Sequence, residues 1–188
     1  PISASMGENV LGKAMMAAGI GLLIIFVIMI LMYRGMGGAA SIALMIYVLL
    51  YVGILAIFPG VQLTFPGIAG IILSIGMAVD ANVVIFERIK DEYASNDMKT
   101  IESAVKGGYK RAVVTVLDSN VTTLMAAAVL WIFCSGAIKG FAITLFLGTA
   151  ISLVTSIFVT RWIMYLFKPF GGEAEGVAKL YNLRRGND

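Results

Sequence analysis

The sequence predicts an all-α membrane protein that crosses the bilayer several times. Of its 188 residues 60% are hydrophobic and 13% are charged, whereas soluble domains carry about 25% charged residues. The mean hydropathy is +0.94, and the apolar residues are gathered into long runs. Because a helix needs about 20 apolar residues to cross the hydrocarbon core, we expect a bundle of transmembrane helices.

Five apolar windows are long enough to span a bilayer, and together they define a single transmembrane domain. They cover residues 14–33, 39–58, 65–86, 112–134 and 140–167. Gly35-Met36-Gly37-Gly38 should form the turn between the first two windows, and the third helix should continue as a polar helix through Glu92. The fifth window is longer than the bilayer requires, so we expect that helix to emerge, tilt or bend.

The segment 87–111 is the sizeable polar stretch between the third and fourth windows, and we interpret it as a solvated cytoplasmic connector. Ile101, Ala104 and Val105 have helical spacing, which predicts a short surface helix near residues 99–106. Gly107-Gly108 should end that helix. Its apolar stripe leaves open a docking role on the membrane surface or on a partner.

The basic residues predict the orientation of the chain. If the first turn, the segment 87–111 and the tail 168–188 share one side, that side holds 12 of the 14 Lys and Arg, and only Lys13 and Lys139 lie on the other. The positive-inside rule then places the N-terminus outside and the C-terminus in the cytoplasm. A chain that starts outside, at Pro1-Ile2, is expected to be a fragment of a longer protein with a preceding span.

Composition excludes several kinds of site. The chain has no histidine and a single cysteine, Cys134. A histidine-containing zinc site, a histidine-based catalytic triad and an internal disulfide are therefore excluded. We expect no metal, no cofactor and no bound nucleic acid.

Two carboxylates lie inside the apolar windows. Asp80 is 15 residues past Phe65, or about 22 Å from the outer face, and Asp118 is 16 residues before Cys134, or about 24 Å from the same face. A charge at such depth costs roughly 2.5–3.5 kcal/mol on insertion scales, so an intramembrane carboxylate favours a functional role. The two carboxylates are expected at similar depth on antiparallel helices.

Polar and small residues accompany the two carboxylates. Gly76, one turn before Asp80, leaves space for a neighbouring helix or for water. The expected supporting hydrogen-bond partners are Asn82, Asn120, Thr122 and Thr123.

Three interpretations of the pair remain open. The carboxylates could form a proton relay, an aspartyl dyad that shares one proton and catalyses hydrolysis, or a structural pair hydrogen-bonded to neighbouring Asn and Thr. Arg161 lies near the inner interface beside Trp162, so we interpret it as an interface anchor. The alternative is an Arg161 that turns inward as the counter-ion of Asp118 or Asp80.

Small residues repeat every fourth position on two windows, which is typical of helices that approach closely in lipid. We predict packing seams here, and the same stripes are candidates for contact with a partner subunit. The stripe on the third window is Gly70, Ser74, Ala78 and Asn82, and that on the fifth is Thr144, Gly148, Ser152, Ser156 and Thr160.

The stretch Gly76–Lys90, with the sequence GMAVDANVVIFERIK, resembles the signature of the SecD/SecF family of protein-export membrane proteins. Residues 66–70, 118–124 and 136–142 are similar to that family too, and residues 1–7 resemble the end of the large outer region of SecD. The resemblance covers nearly the whole chain. It implies the C-terminal transmembrane half of a SecD-type subunit, without its first span and outer domain.

The resemblance also implies a function and partners. SecD pairs with SecF, both resemble resistance-nodulation-division transporters, and together they assist export through the SecY complex by using the proton-motive force. On this basis Asp80 matches the membrane carboxylate of the proton path, and Asp118 with its Asn and Thr neighbours matches the polar patch on the next helix. The exported unfolded protein would meet the missing outer domain. The resemblance also implies that the protein is located in the bacterial cytoplasmic membrane.

Two other functions remain as alternatives, and the expected function is not enzymatic. An intramembrane aspartyl protease could use Asp80 and Asp118, although the chain lacks the Gly-x-Gly-Asp signature of such enzymes. A small-molecule exporter of the same superfamily is the second alternative.

Overall fold

The computed structural model describes residues 4–58, 64–95 and 101–162, and every element within these ranges is helical. The elements are α1 (Ala4–Ile57), α2 (Phe65–Ala94), α3 (Ile101–Phe133) and α4 (Gly136–Val154), which continues into a π-helical turn (Thr155–Val159). In these ranges four helices are long and apolar enough to cross a membrane. The predicted all-α, polytopic membrane fold is confirmed.

The first helix, α1, is a hairpin. Its apolar part, Gly12–Ile57, has 46 residues, and a straight helix of that length would measure about 69 Å, more than twice the hydrocarbon core. The backbone leaves helical geometry at Arg34 (φ 46°, ψ −115°). Gly37 then lies so close to the backbone of Met29 that a Cβ there would collide with the Met29 carbonyl group. The two arms are therefore antiparallel.

The turn of this hairpin differs from the prediction. The chain reverses at Arg34, one residue before the four-residue turn that the glycines suggested, and the second arm is already helical from Gly35. Gly37 does not form the turn. It is buried, and its missing side chain permits the close contact of the two arms.

Helix α2 begins with a side-chain cap and extends beyond its apolar part. Thr64 Oγ1 accepts a hydrogen bond from the Gly67 amide at 3.2 Å, and Pro66 stands in the first turn, where an amide hydrogen is not needed. The helix continues to Ala94. The polar extension expected through Glu92 is present.

Helix α3 contradicts the prediction for the polar segment. It runs without interruption from Ile101 to Phe133, so residues 101–106 are its first turns and not a separate surface helix. The predicted break at Gly107-Gly108 is wrong. A Cβ on Gly108 would lie 2.6 Å from Ile89 Cα, so glycine here allows α2 and α3 to approach.

An ion pair lies at the same junction of α2 and α3. Arg111 Nη1 is 2.9 Å from Glu92 Oε2, and the Glu92 side chain is only 6% exposed. Gly107 lies against that side chain. The pair joins α2 and α3 where both helices leave the apolar windows.

Helices α2 and α4 pack through their two stripes of small residues. A Cβ on Gly70 would collide with Thr144 Oγ1, and a Cβ on Gly148 would collide with the Ser74 side chain. Because the paired positions advance together, α2 and α4 run parallel. The stripes are buried against each other, so the suggestion that they face a partner subunit is wrong.

Residues 163–167 of the fifth window and the tail 168–188 lie outside the described residues, and residues 59–63 and 96–100 do too. Helix α4 begins at Gly136, four residues before the start of the fifth window.

We predict that the seam between α2 and α4 tolerates no added side chain. Gly148→Leu should lower the free energy of unfolding in detergent by about 1–3 kcal/mol, because overpacking forces the helices apart. Gly76→Leu is the matched control on α2, since no heavy atom lies within 4 Å of a Cβ built there. Its effect should stay within about 0.5 kcal/mol. Equal losses in the two variants would contradict the packing described here.

Candidate functional site

Asp80 lies on the outward face of α2. Its side chain is exposed, and Gly76, one turn earlier, is open, with no heavy atom within 4 Å of a Cβ built there. Among the described residues, none forms a hydrogen bond or an ion pair with the carboxylate of Asp80. The surface beside Asp80 is therefore not covered by any described residue.

Asp118 lies at the level of Asp80 and is exposed too. The antiparallel helices α2 and α3 touch at Ile89 and Gly108. Asp80 lies nine residues before Ile89 on α2, and Asp118 lies ten residues after Gly108 on α3. Along the helix axes the two aspartates therefore differ in level by about one residue. No hydrogen bond or ion pair is formed by Asp118 within the described part of the chain.

The predicted supporting residues are divided between two environments. Asn82 is buried, with 4% exposure, and its Oδ1 accepts a hydrogen bond from Thr160 Oγ1 at 2.8 Å. Asn120 is buried and donates to the Val116 carbonyl of its own helix at 2.8 Å. The structure thus joins Asn82 to α4 and not to Asp80.

The two threonines of α3 do not bridge the carboxylates either. Thr122 is exposed and donates to the Ser119 carbonyl of its own helix at 3.0 Å. Thr123 is half-buried. In the described ranges no group of three or more Cys, Asp and Glu could hold a metal ion.

Arg161 lies at the far end of α4 and is exposed. Its guanidinium is 5.5 Å from the centre of the Tyr109 ring, and the neighbouring Trp162 is exposed as well. Arg161 forms no ion pair with Asp80 or Asp118 in the ranges that the structure describes. The contact with Tyr109 places it beside α3.

A π-helical turn before Arg161 was not anticipated from the sequence. Over Thr155–Val159 the backbone holds an extra residue, and the Thr160 amide donates to the carbonyl of Thr155, five residues back. The Tyr109 hydroxyl donates to the Ile157 carbonyl inside this turn. Single π turns within α-helices are frequent at functional sites.

The π turn explains how the four-residue repeat on α4 stays on one face of the helix as far as Thr160. In an α-helix each step of four residues advances by about 400°, so a stripe with that spacing drifts about 40° per step. From Thr144 to Thr160 the drift would reach about 160° and turn Thr160 away from α2. A π turn unwinds the helix locally, and Thr160 faces Asn82.

We predict a measurable coupling between Asn82 and Thr160. A double-mutant cycle of Asn82→Ala and Thr160→Val should give a coupling of about 0.6–1.7 kcal/mol, between the average and the largest value measured for interhelical hydrogen bonds in a membrane protein. Ser156→Ala combined with Asn82→Ala is the control, because Ser156 is buried but donates only to the Leu153 carbonyl of its own helix. That pair should be additive in unfolding free energy. A coupling as large in the control as in the test cycle would contradict a specific bond.

Comparison with known proteins agrees with the resemblance of the signature. A family model described as "Protein export membrane protein SecD/SecF, C-terminal" matches residues 1–169. The chain is 52% identical over 165 residues to the protein translocase subunit SecD of Acidaminococcus fermentans, covering 87% of this chain and 38% of that protein. It is 45% identical over 163 residues to the SecD subunits of Dictyoglomus turgidum and of Synechocystis sp., again over 87% of this chain.

The chain spans 34–40% of the length of these three relatives. The match nevertheless extends over nearly all of the present sequence, and it includes α2 with Asp80, α3 with Asp118 and α4 with the π turn. The chain therefore belongs to the SecD/SecF family of protein-export membrane proteins, of which it carries the C-terminal membrane region.

Proposed function

We propose that this chain is the membrane half of a SecD-type translocase subunit, in which Asp80 couples proton movement to protein export across the bacterial cytoplasmic membrane. The observation that carries the proposal is an exposed carboxylate on an apolar helix, at a level deep in the bilayer, with no partner in the described residues. The SecD relatives are named as protein translocase subunits, which supports export as the process.

The physical argument rests on the cost of a charge in the bilayer. An ionised carboxylate on a lipid-facing surface is unfavourable, whereas a protonated one is neutral and can donate a hydrogen bond. The protonated and the ionised carboxylate therefore favour different packing partners on the surface around Asp80. Such a change in preferred packing is what a proton-driven machine requires.

The partner that covers this face would be a second membrane subunit. Asp80 and Asp118 lie level on the exposed sides of α2 and α3, so one neighbour could contact both. We propose SecF for this place, with the SecY complex as the channel that the pair assists. The exported unfolded protein would meet the outer domain of the longer protein.

The other polar residues have secondary roles in this proposal. Asp118 would serve as a second proton-relay residue, with Asn120, Thr122 and Thr123 lining the same surface. Asn82 would set the position of α2 through Thr160. Arg161 would act as the interface anchor. Its guanidinium lies 5.5 Å from the centre of the Tyr109 ring, a cation–π contact.

The two alternatives fit less well. An aspartyl protease needs two carboxylates that share a proton, and no hydrogen bond joins Asp80 to Asp118 in the described residues. The high identity to SecD subunits favours protein export over small-molecule export. Cleavage of a membrane peptide by the full-length protein would restore the protease alternative.

We predict that Asp80→Asn removes the proton-dependent part of export. In proteoliposomes with the full-length subunit, SecF and the SecY complex, the stimulation of preprotein translocation by a proton gradient should fall at least tenfold, because an amide cannot exchange a proton. Asp91→Asn is the control, since Asp91 is exposed at the polar end of the same helix. It should translocate as the parent does. Normal gradient stimulation in Asp80→Asn would overturn the proposal.

We also predict the orientation of the chain in the membrane. In a Cys134→Ser background, Lys139→Cys lies in the first turn of α4 and Ser95→Cys directly follows α2. A membrane-impermeant maleimide added to intact cells should label the first and not the second, and permeabilised cells should show both. The reverse pattern would place the ends of the helices on the opposite sides.

A further inference from the structure

The π turn of α4 lies between two side chains from different helices. On one side the Tyr109 hydroxyl of α3 donates to the Ile157 carbonyl within the turn. On the other, Thr160 directly after the turn donates to Asn82 of α2 at 2.8 Å. Thr160 is fully buried. One side-chain hydrogen bond to each neighbouring helix thus lies at or directly after the turn.

We propose that this π turn is a two-state joint that sets the position of Arg161. In one state it has the π geometry described above. In the other it relaxes to an α-helix, in which the Thr160 amide leaves the Thr155 carbonyl for the Ser156 carbonyl and the Tyr109 hydroxyl is released. Because each residue of an α-helix accounts for about 100° and 1.5 Å, residues 160–162 would rotate and shift by that amount relative to α2.

The distribution of hydrogen bonds along the seam supports a joint at this place. Near the start of α4 two bonds cross to other helices: Thr144 Oγ1 donates to the Gly67 carbonyl at 3.0 Å, and Tyr51 donates to the Thr144 carbonyl at 2.7 Å. These bonds anchor that end of α4.

The middle of α4 is different. Ser156 on the seam donates to the Leu153 carbonyl of its own helix at 3.2 Å. Thr149 and Thr155 are buried too, and their hydroxyls donate to carbonyls of their own helix, at 2.8 Å to Leu145 and 3.0 Å to Ile151. These groups remain satisfied when the helices move relative to each other. Beyond them the hydrogen bond that Thr160 donates to Asn82 holds α4 to α2, so loss of this bond releases the end of α4 from α2.

The joint connects the proposed proton site to the end of α4. Asn82 is two residues after Asp80 on the same helix, so a shift of α2 after a change of charge at Asp80 acts on the bond to Thr160. This link to Asp80 rests on the function proposed above. The existence of two states of the turn does not.

The joint can be tested by distance measurement in the full-length protein with its partner subunit in lipid nanodiscs. Spin labels are placed at Trp162→Cys and Arg88→Cys in a Cys134→Ser background, since both positions are exposed. A rotation of about 100° at the radius of a helix with its side chains moves a label by up to about 8 Å. We expect two distance populations whose ratio changes with pH.

Deletion of Phe158 is the decisive variant. Phe158 lies within the turn and is 68% exposed, so its removal takes out the extra residue with little loss of packing. The deletion should leave one population at every pH, whereas Phe158→Ala, the matched control, should retain both. Tyr109→Phe and Thr160→Val should each shift the ratio at least threefold toward the α state.

The outcomes separate this inference from the proposed function. A single population in the parent at all pH values, or two populations in the deletion variant, would overturn the joint. If the deletion removes one population while Asp80→Asn leaves the ratio and its pH dependence unchanged, the joint stands and the role of Asp80 is wrong. If Asp80→Asn also removes the pH dependence of the ratio of the two populations, both the joint and the role of Asp80 stand.

Discussion

The close contact between α2 and α4 determines where every other group of the site lies. Lipid gives helices no hydrophobic reason to associate, so packing of small residues supplies the attraction. Gly70 against Thr144 and Gly148 against Ser74 are the close contacts of this seam. The seam turns Ala78 and Asn82 inward. Asp80 is two residues from each, which is about 200° around the helix, so the same packing that buries its neighbours directs Asp80 outward.

This constraint changes the meaning of the two carboxylates. The sequence suggested a polar cluster inside one bundle, whereas the structure has a buried bond between Asn82 and Thr160 and an exposed pair of carboxylates at one level. An outward polar surface at that depth requires a covering that can accept hydrogen bonds or charge. In the proposed function the site is therefore half of an interface with a second membrane subunit.

The sequence predicted the membrane-crossing helices because the length of an apolar run is a local property of the chain. The prediction failed at glycines, because a glycine can either break a helix or allow a second helix to approach it closely. Gly37 and Gly108 were interpreted as breaks, but both lie inside helices where a second backbone approaches, and only the tertiary contact distinguishes these cases. The π turn was missed because its signal, a four-residue spacing that is sustained too long for an α-helix, becomes meaningful only when Thr160 is known to face α2.

In the proposed function, the energies involved allow the Thr160 end of the seam to move while the rest stays fixed. A proton that crosses the membrane potential supplies about 2.3 kcal/mol per 100 mV, and an interhelical hydrogen bond in a membrane protein contributes about 0.6 kcal/mol on average. One proton can therefore exchange the Asn82–Thr160 bond and the Tyr109 bond for others. It cannot separate the glycine contacts and the two hydrogen bonds of Thr144 at the other end as well. If Asp80 couples proton movement to export as proposed, the work of its charge change is thus confined to the part of α4 beyond Thr155.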